Sequence, residues 1–312
     1  MNWLLWRQHR SQVFVTVVAT VLFAVAVLLT GVHMAHIYKS SLAACTANGT
    51  CNLVGNLFSG YGAIIDLVHL SIALPVVLGT FVGATLVARE REHATNVLVW
   101  TQTVTRRRWL YSKIAAVLAG TVIASAVVSA LVTWWSNTPN ALDGNRFEGA
   151  QFDTQNVLPI ALAIFAVALG IAAGCILRRT LPSLATTVGA YVGVRLLVSV
   201  YLRPHYLKPI TRSFPLNGDV SVPSGSWTLK ERLVDAAGKA TNGRIPIPAS
   251  CGPIPDKGGA EKCLGRLGFH QVVTYQPPSH YWPFQWIESG LFVGLAAVLI
   301  TVAVVYTLRR DA

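Results

Sequence analysis

Charge is scarce in this chain. Of its 312 residues only 12% are Asp, Glu, Lys or Arg, about half the ~25% of a soluble domain. Hydrophobic residues make up 53% and the mean hydropathy is +0.51. That balance excludes a soluble globular fold and points to a polytopic membrane protein. Acids are scarcer still, 13 against 25 Lys and Arg, which leaves a net charge of +12. There is no basic stripe on a soluble fold and no aromatic RNA-binding motif, so nucleic acid is not the implied partner. Topology and anionic lipid account for the excess. The chain also lacks GxxxxGK[ST], HExxH, a metal-type CxxC pair and GxSxG. No nucleotide site of the usual kind, no metal and no nucleophile elbow is expected, and no catalytic residue is assigned. Internal repeats, low-complexity tracts and an evident signal-peptide cleavage site are missing too.

What is present is apolar length. A crossing needs ~20 apolar residues, and six runs supply it: Val13–Val32, Ile64–Ala88 with a kink expected at Pro75, Ile114–Trp135, Val157–Leu177, Leu181–Leu202 and Phe284–Leu308. Ahead of the first, residues 1–12 carry Trp3, Trp6, Arg7 and Arg10, the pattern of an amphipathic helix lying in the headgroup plane. The expected fold is an all-α membrane protein. It has an N-terminal in-plane helix (1–12), spans 1–5 over 13–202 with a polar segment 89–113, a large extracytoplasmic segment (203–283), and span 6 with its tail (284–312).

Lys and Arg set the orientation. Arg7, Arg10, Arg89, Arg91, Arg106, Arg107, Arg108, Lys113, Arg178, Arg179, Arg309 and Arg310 fall on one side. The short loops of the other side carry only Lys39 and Arg146. Both termini are therefore expected inside, and 203–283 outside. Cysteines agree: Cys45, Cys51, Cys251 and Cys263 all lie in the loops placed outside, where disulfides persist. The natural pairs are 45–51 and 251–263, although spacing alone does not fix connectivity.

In the outer segment, Thr228-Leu-Lys-Glu231 fits a capping box opening a helix. Val272, Val273 and Tyr275 suggest a strand. Tyr281, Trp282, Phe284 and Trp286 suggest an interfacial aromatic belt. Within the spans, Gly79/Gly83, Gly170/Gly174, Gly189/Gly193 and Gly290/Gly294 are Gly-x-x-x-Gly pairs, which let helix backbones approach in lipid, within a subunit or across a dimer. The ionisable residues in or near the spans are Asp66, His69, Arg195 and Glu288. Charge at that depth needs a partner or a cavity. Arg195 can pair with Glu288 or Asp66, either as a structural ion pair or as part of a transport pathway.

Between spans 2 and 3 lies REREHATNVLVWTQTVTRRRWLYSK. Glu90 and Glu92, then Thr95, then Thr105-Arg106, then Lys113 resemble the segment joining the second and third spans of ABC-2 type transporter permeases. Ala94 stands where glycine is usual. Trp6-Arg7-Gln8-His9-Arg10 and the stretch from Tyr275 to Glu288 are similar to a bacterial subset of that family. The resemblance implies a subunit of the bacterial cell membrane that dimerises, most simply as a homodimer. It docks two cytoplasmic ATP-binding cassette subunits, and these, not this chain, bind ATP and Mg. Residues 89–106 would be the coupling helix, with Val97, Trp100, Thr101 and Val104 as the apolar face seated on the ATPase. The activity implied is export of an amphipathic molecule such as a drug, lipid or antibiotic. A membrane sensor or scaffold with a ligand-binding outer domain is the alternative reading.

Overall fold

The computed structural model describes residues 2–48, 62–92, 106–143, 146–147, 149–216, 222–241, 251 and 257–310. By contacts the chain divides into two compact units. The first comprises Met1–Asp143, Gly149–Val198 and Gln285–Ala312, and the second Gly144–Glu148 and Ser199–Phe284.

The first unit is helical, and among the described residues six helical stretches are long and apolar enough to cross a membrane. Helix α1 runs unbroken from Asn2 to Asn48, so residues 2–12 begin the same helix that becomes the first span. The second span is built in pieces. Helix α2 (Gly62–Leu70) passes through a 3-10 turn (Ser71–Ala73), α3 (Leu74–Leu78) and a π turn (Gly79–Ala84) into α4 (Thr85–Glu92). Pro75 stands in the first turn of α3, directly after the 3-10 interruption. A proline has no N–H for the preceding turn, and the irregularity falls where that bond is lost. Helix α5 (Arg106–Asp143) starts earlier and ends later than the run Ile114–Trp135. Arginines 106–108 thus form its first turn. The short α6 (Gly149–Thr154) precedes α7 (Leu158–Leu177), and α8 (Thr180–Leu197) follows after a tight turn. Arg178 makes that turn with φ of 57°, and Arg179 is extended.

Helix α7 is the axis of this unit, with the largest buried share of the six spans. It is apolar around its whole circumference, as a helix surrounded by other helices should be. Small residues bring span 2 against it. A Cβ placed on Gly79 would lie 2.5 Å from the Ala166 carbonyl oxygen, and one on Gly83 would lie 2.6 Å from that of Val167. From the other side, a Cβ on Gly174 would lie 2.7 Å from the Ala84 oxygen, and one on Gly170 would overlap the Gly79 oxygen. Two of the Gly-x-x-x-Gly pairs therefore face each other within the subunit. Gly189, Gly193, Gly290 and Gly294 have no atom of the described residues within 4 Å of such a Cβ. A second cluster joins α1 to α5 through Val27, Met34, Val128, Val132 and Trp135. There the Trp135 Nε1 donates to Thr30 Oγ1 at 3.3 Å.

The second unit contains a four-stranded antiparallel sheet in the order β1-β4-β2-β3, with β1 at Ile210–Pro215, β2 at Trp227–Val234, β3 at Ala240–Thr241 and β4 at His270–Gln276. The strand expected at Val272–Tyr275 is there. The helix expected from Thr228 is not, and the all-α description holds for the spans but not for this segment. The backbone of 227–234 pairs with β4 rather than forming the first turn of a helix. The register shift between Thr228 and Lys230 accommodates one extra residue, as a bulge does.

Helix α9 (Lys257–Arg266) carries Cys263, which is disulfide-bonded to Cys251. It ends at Gly268, φ of 83°, where the left-handed turn suits a residue without Cβ. The pair 45–51 lies outside the described side chains. The last helix, α10, spans Tyr281–Arg310. The aromatic belt splits between its faces. Tyr281 and Phe284 are buried against Phe147, at centroid distances of 5.4 and 5.5 Å, whereas Trp282 and Trp286 are exposed. Positions three apart share a helix face, and 281/284 and 282/286 sit on different ones.

Candidate functional site

The site is a charged cluster inside the helical unit, built by three segments. Arg195 projects from α8, about 22 Å along the helix from Thr180 at ~1.5 Å per residue. Its guanidinium makes ion pairs with Asp153 on α6 and with Glu288 on α10. The Nη1–Oε1 distance to Glu288 is 2.5 Å. Glu288 is wholly buried, and the side chains of Asp153 and Arg195 are 9% and 12% exposed. The guanidinium also lies 5.9 Å from the Phe292 ring centroid, within cation–π range. Phe292 packs on Phe165 at 5.2 Å, and Phe165 on Tyr191 at 6.1 Å. Apolar rings therefore close one side of the charges.

Asp153 reaches this depth because the chain breaks between α6 and α7. Asn156 takes a left-handed conformation, φ of 61°. Two α5 side chains one turn apart complete its backbone bonding. Ser129 Oγ donates to the Asn156 carbonyl at 2.5 Å, and the Asn156 N–H donates to Thr133 Oγ1 at 2.8 Å. Gln285, buried on α10, serves both ends of the break. Its Oε1 accepts the Leu158 N–H at 3.1 Å, and its Nε2 donates to the Phe152 carbonyl at 3.0 Å. Non-helical backbone at membrane depth is tolerated where protein satisfies its polar groups. Gln285, Glu288 and Phe292 repeat at three and four positions along α10, so one stripe of that helix carries the whole contact.

The pairing of Arg195 with Glu288 is the one the sequence indicates. Asp66 is not its other partner. Asp66 is exposed on α2 and His69 half-buried on the same helix, and neither joins the cluster. Asp153 and Gln285 were not singled out from sequence. Asp153 lies in a stretch that reads as polar loop, and Gln285 is neutral among aromatics. The available signal was an uncompensated Arg in span 5 that demands acceptors. The cluster offers no nucleophile with a base. Its chemistry is that of a forked cation holding two carboxylates, and thereby three segments, together.

On the side of Arg178 and Arg179, Glu92 ends α4 and its Oε2 accepts two bonds from Thr180, the first residue of α8. These come from the N–H at 2.9 Å and from Oγ1 at 2.5 Å. Glu90 lies on α4 and Arg106 opens α5, their side chains outside the description. Thr95, Val97, Trp100 and Thr101 lie outside the described residues altogether. Elsewhere, an open groove of about 510 Å³ runs along Thr301, Val302, Val305, Tyr306 and Arg309 of α10.

The family described as ABC-2 membrane transporter related matches residues 17–203, from the first span through the end of the fifth. The chain belongs to that family. It is an ABC-2 type permease, a multi-pass membrane protein. No curated protein and no solved structure matches it. The match covers Arg195, Asp153, Asn156 and the Glu92–Thr180 contact. It stops before α10, which brings Gln285 and Glu288 to this permease's cluster.

Proposed function

We propose that this permease is the membrane subunit of an ATP-driven exporter that moves an amphipathic molecule such as a drug, lipid or antibiotic out of a bacterial cell. The observation that carries the proposal is the family match over residues 17–203 together with six spanning helices. In this reading both termini face the cytoplasm, as the Lys and Arg asymmetry requires. Two cytoplasmic ATP-binding cassette subunits bind ATP and Mg and dock on residues 89–106. Two copies of the permease pair as a homodimer. The open glycine pairs Gly189/Gly193 and Gly290/Gly294 favour such pairing, since small residues are what helix contacts in lipid use. The Arg195 cluster holds spans 5 and 6 to the entrance of span 4 while the segment 89–113 moves.

The test is a mild-detergent pull-down of the tagged protein from its native membrane. An ATP-binding cassette subunit recovered in equal amount, and lost when residues 93–105 become a neutral linker, supports the proposal. A permease that arrives alone, or with a kinase or regulator, favours a sensor or scaffold instead.

A further inference from the structure

Of the two acids at the end of span 2 that match the family's pattern, Glu92 has its carboxylate turned to its own chain. Glu92 Oε2 takes both the N–H and the hydroxyl of Thr180. Those groups open α8, where the first turn of a helix has N–H groups without intrahelical partners. A carboxylate placed there is favoured by the local partial positive charge as well as by the bonds. The turn before it is tight: Arg178 is left-handed and Arg179 extended. The Ser183 hydroxyl shares its one hydrogen between the Arg179 carbonyl at 2.7 Å and the Ala173 carbonyl of α7 at 3.3 Å. The start of α8 is thus fixed to α4 at one point and to α7 at another. Farther along the same helix, Arg195 is fixed to α6 and α10.

We infer that Glu92 is a positioning residue that ties the segment between spans 2 and 3 to span 5. Displacement of that segment by the ATPase is thereby delivered to α8, and along it to Arg195, rather than to span 2 alone. The inference rests on the exporter reading for what moves the segment, but the tie itself belongs to this chain. It separates two roles that an acid at this position could have. A docking acid is needed to hold the partner. A tie is needed only to pass its motion on.

The test uses the full permease with its co-purified ATPase subunit in lipid vesicles, comparing Glu92→Gln, Thr180→Val, Thr180→Ser and the double variant Glu92→Gln/Thr180→Val. Amide exchange over residues 178–184 is followed in parallel on the permease alone. The tie predicts that Glu92→Gln captures the ATPase subunit as well as the parent does, yet moves less of a fluorescent amphipathic dye per ATP. The loss should be about tenfold or more, since a hydrogen bond to a charged group is the stronger kind. Thr180→Val, which loses the hydroxyl but keeps the N–H, gives a smaller loss of the same kind, Thr180→Ser restores the parent, and the double variant is no worse than Glu92→Gln. Exchange at 178–184 speeds up in Glu92→Gln. Loss of the ATPase subunit in Glu92→Gln, losses that multiply in the double variant, or unchanged exchange would each overturn the inference. A parent permease that captures no ATPase subunit overturns the exporter reading instead, and the exchange result then decides whether the tie exists.

Discussion

Arg195 and Glu288 stand 93 positions apart in sequence and meet at 2.5 Å. Neither could sit at that depth alone. Removing one member of a buried pair leaves the other uncompensated, at a cost of about 3–5 kcal/mol. Arg195→Gln orphans both Glu288 and Asp153 and is expected to destabilise the helical unit by at least that order, whereas Glu288→Gln leaves Arg195 its pair with Asp153 and should cost less. The double variant should be less unstable than the sum, because Glu288 is then no longer an unpaired charge, although Asp153 still is. Denaturant unfolding in detergent, run as a double-mutant cycle, checks this. Additive losses would mean the pair contributes nothing as a pair.

Gln285 serves the α6–α7 break with both ends of its amide. Gln285→Leu keeps the bulk and removes both bonds, leaving a buried N–H and C=O unmet at about 1–3 kcal/mol each. Gln285→Glu keeps the acceptor for Leu158 but presents no donor to Phe152, and adds charge beside Glu288. Both variants should unfold earlier than the parent in the same assay, and amide exchange at Leu158 should accelerate in Gln285→Leu. Parent-like exchange at Leu158 would contradict the bonding described.

The glycine pairs should divide into two classes. Gly79→Val and Gly170→Val force a side chain into facing backbone, so span 2 must part from α7 and the monomer should lose yield and stability. Gly189→Leu and Gly290→Leu meet open space and should leave the monomer's unfolding midpoint near that of the parent. If the exporter is a homodimer joined through those faces, the second class shifts chemical cross-linking from dimer to monomer. Equal effects of both classes on monomer stability would contradict the packing.

The Cys251–Cys263 disulfide closes a short loop, with a sequence separation of 12. On the chain-entropy account such a closure is worth roughly 3 kcal/mol. Cys251→Ser should loosen α9 and speed proteolysis near it without changing the melting of the spans. Peptide mapping without reductant should recover the two cysteines linked. Finding them as separate thiols would exclude the bond.

How much of this was legible in the sequence follows from what each feature depends on. Span count follows from apolar length, which is local, and the strand at Val272–Tyr275 follows from β-branched and aromatic residues. Thr228–Glu231 misled because the capping spacing is local whereas the pairing of β2 with β4 is not. Arg195 announced that a carboxylate must come to it, and Glu288 was a candidate by depth. Asp153 was hidden because its position depends on a chain break at Asn156 that α5 and Gln285 stabilise from far away in sequence. Glu92 was visible as an acid in the right place, but its bond to Thr180 depends on how the turn at Arg178 folds back.

The π turn at Gly79–Ala84 holds one more residue than an α-helical turn would. Each residue in a helix advances the direction of the side chains by about 100°, so this insertion sets a phase difference between the two halves of span 2. Deleting a single residue within 79–84 would leave the span nearly as long and just as apolar. It would swing the Glu92 carboxylate about a quarter-turn off Thr180. The address of that carboxylate is thus written a full turn or more upstream, in glycines that never touch it.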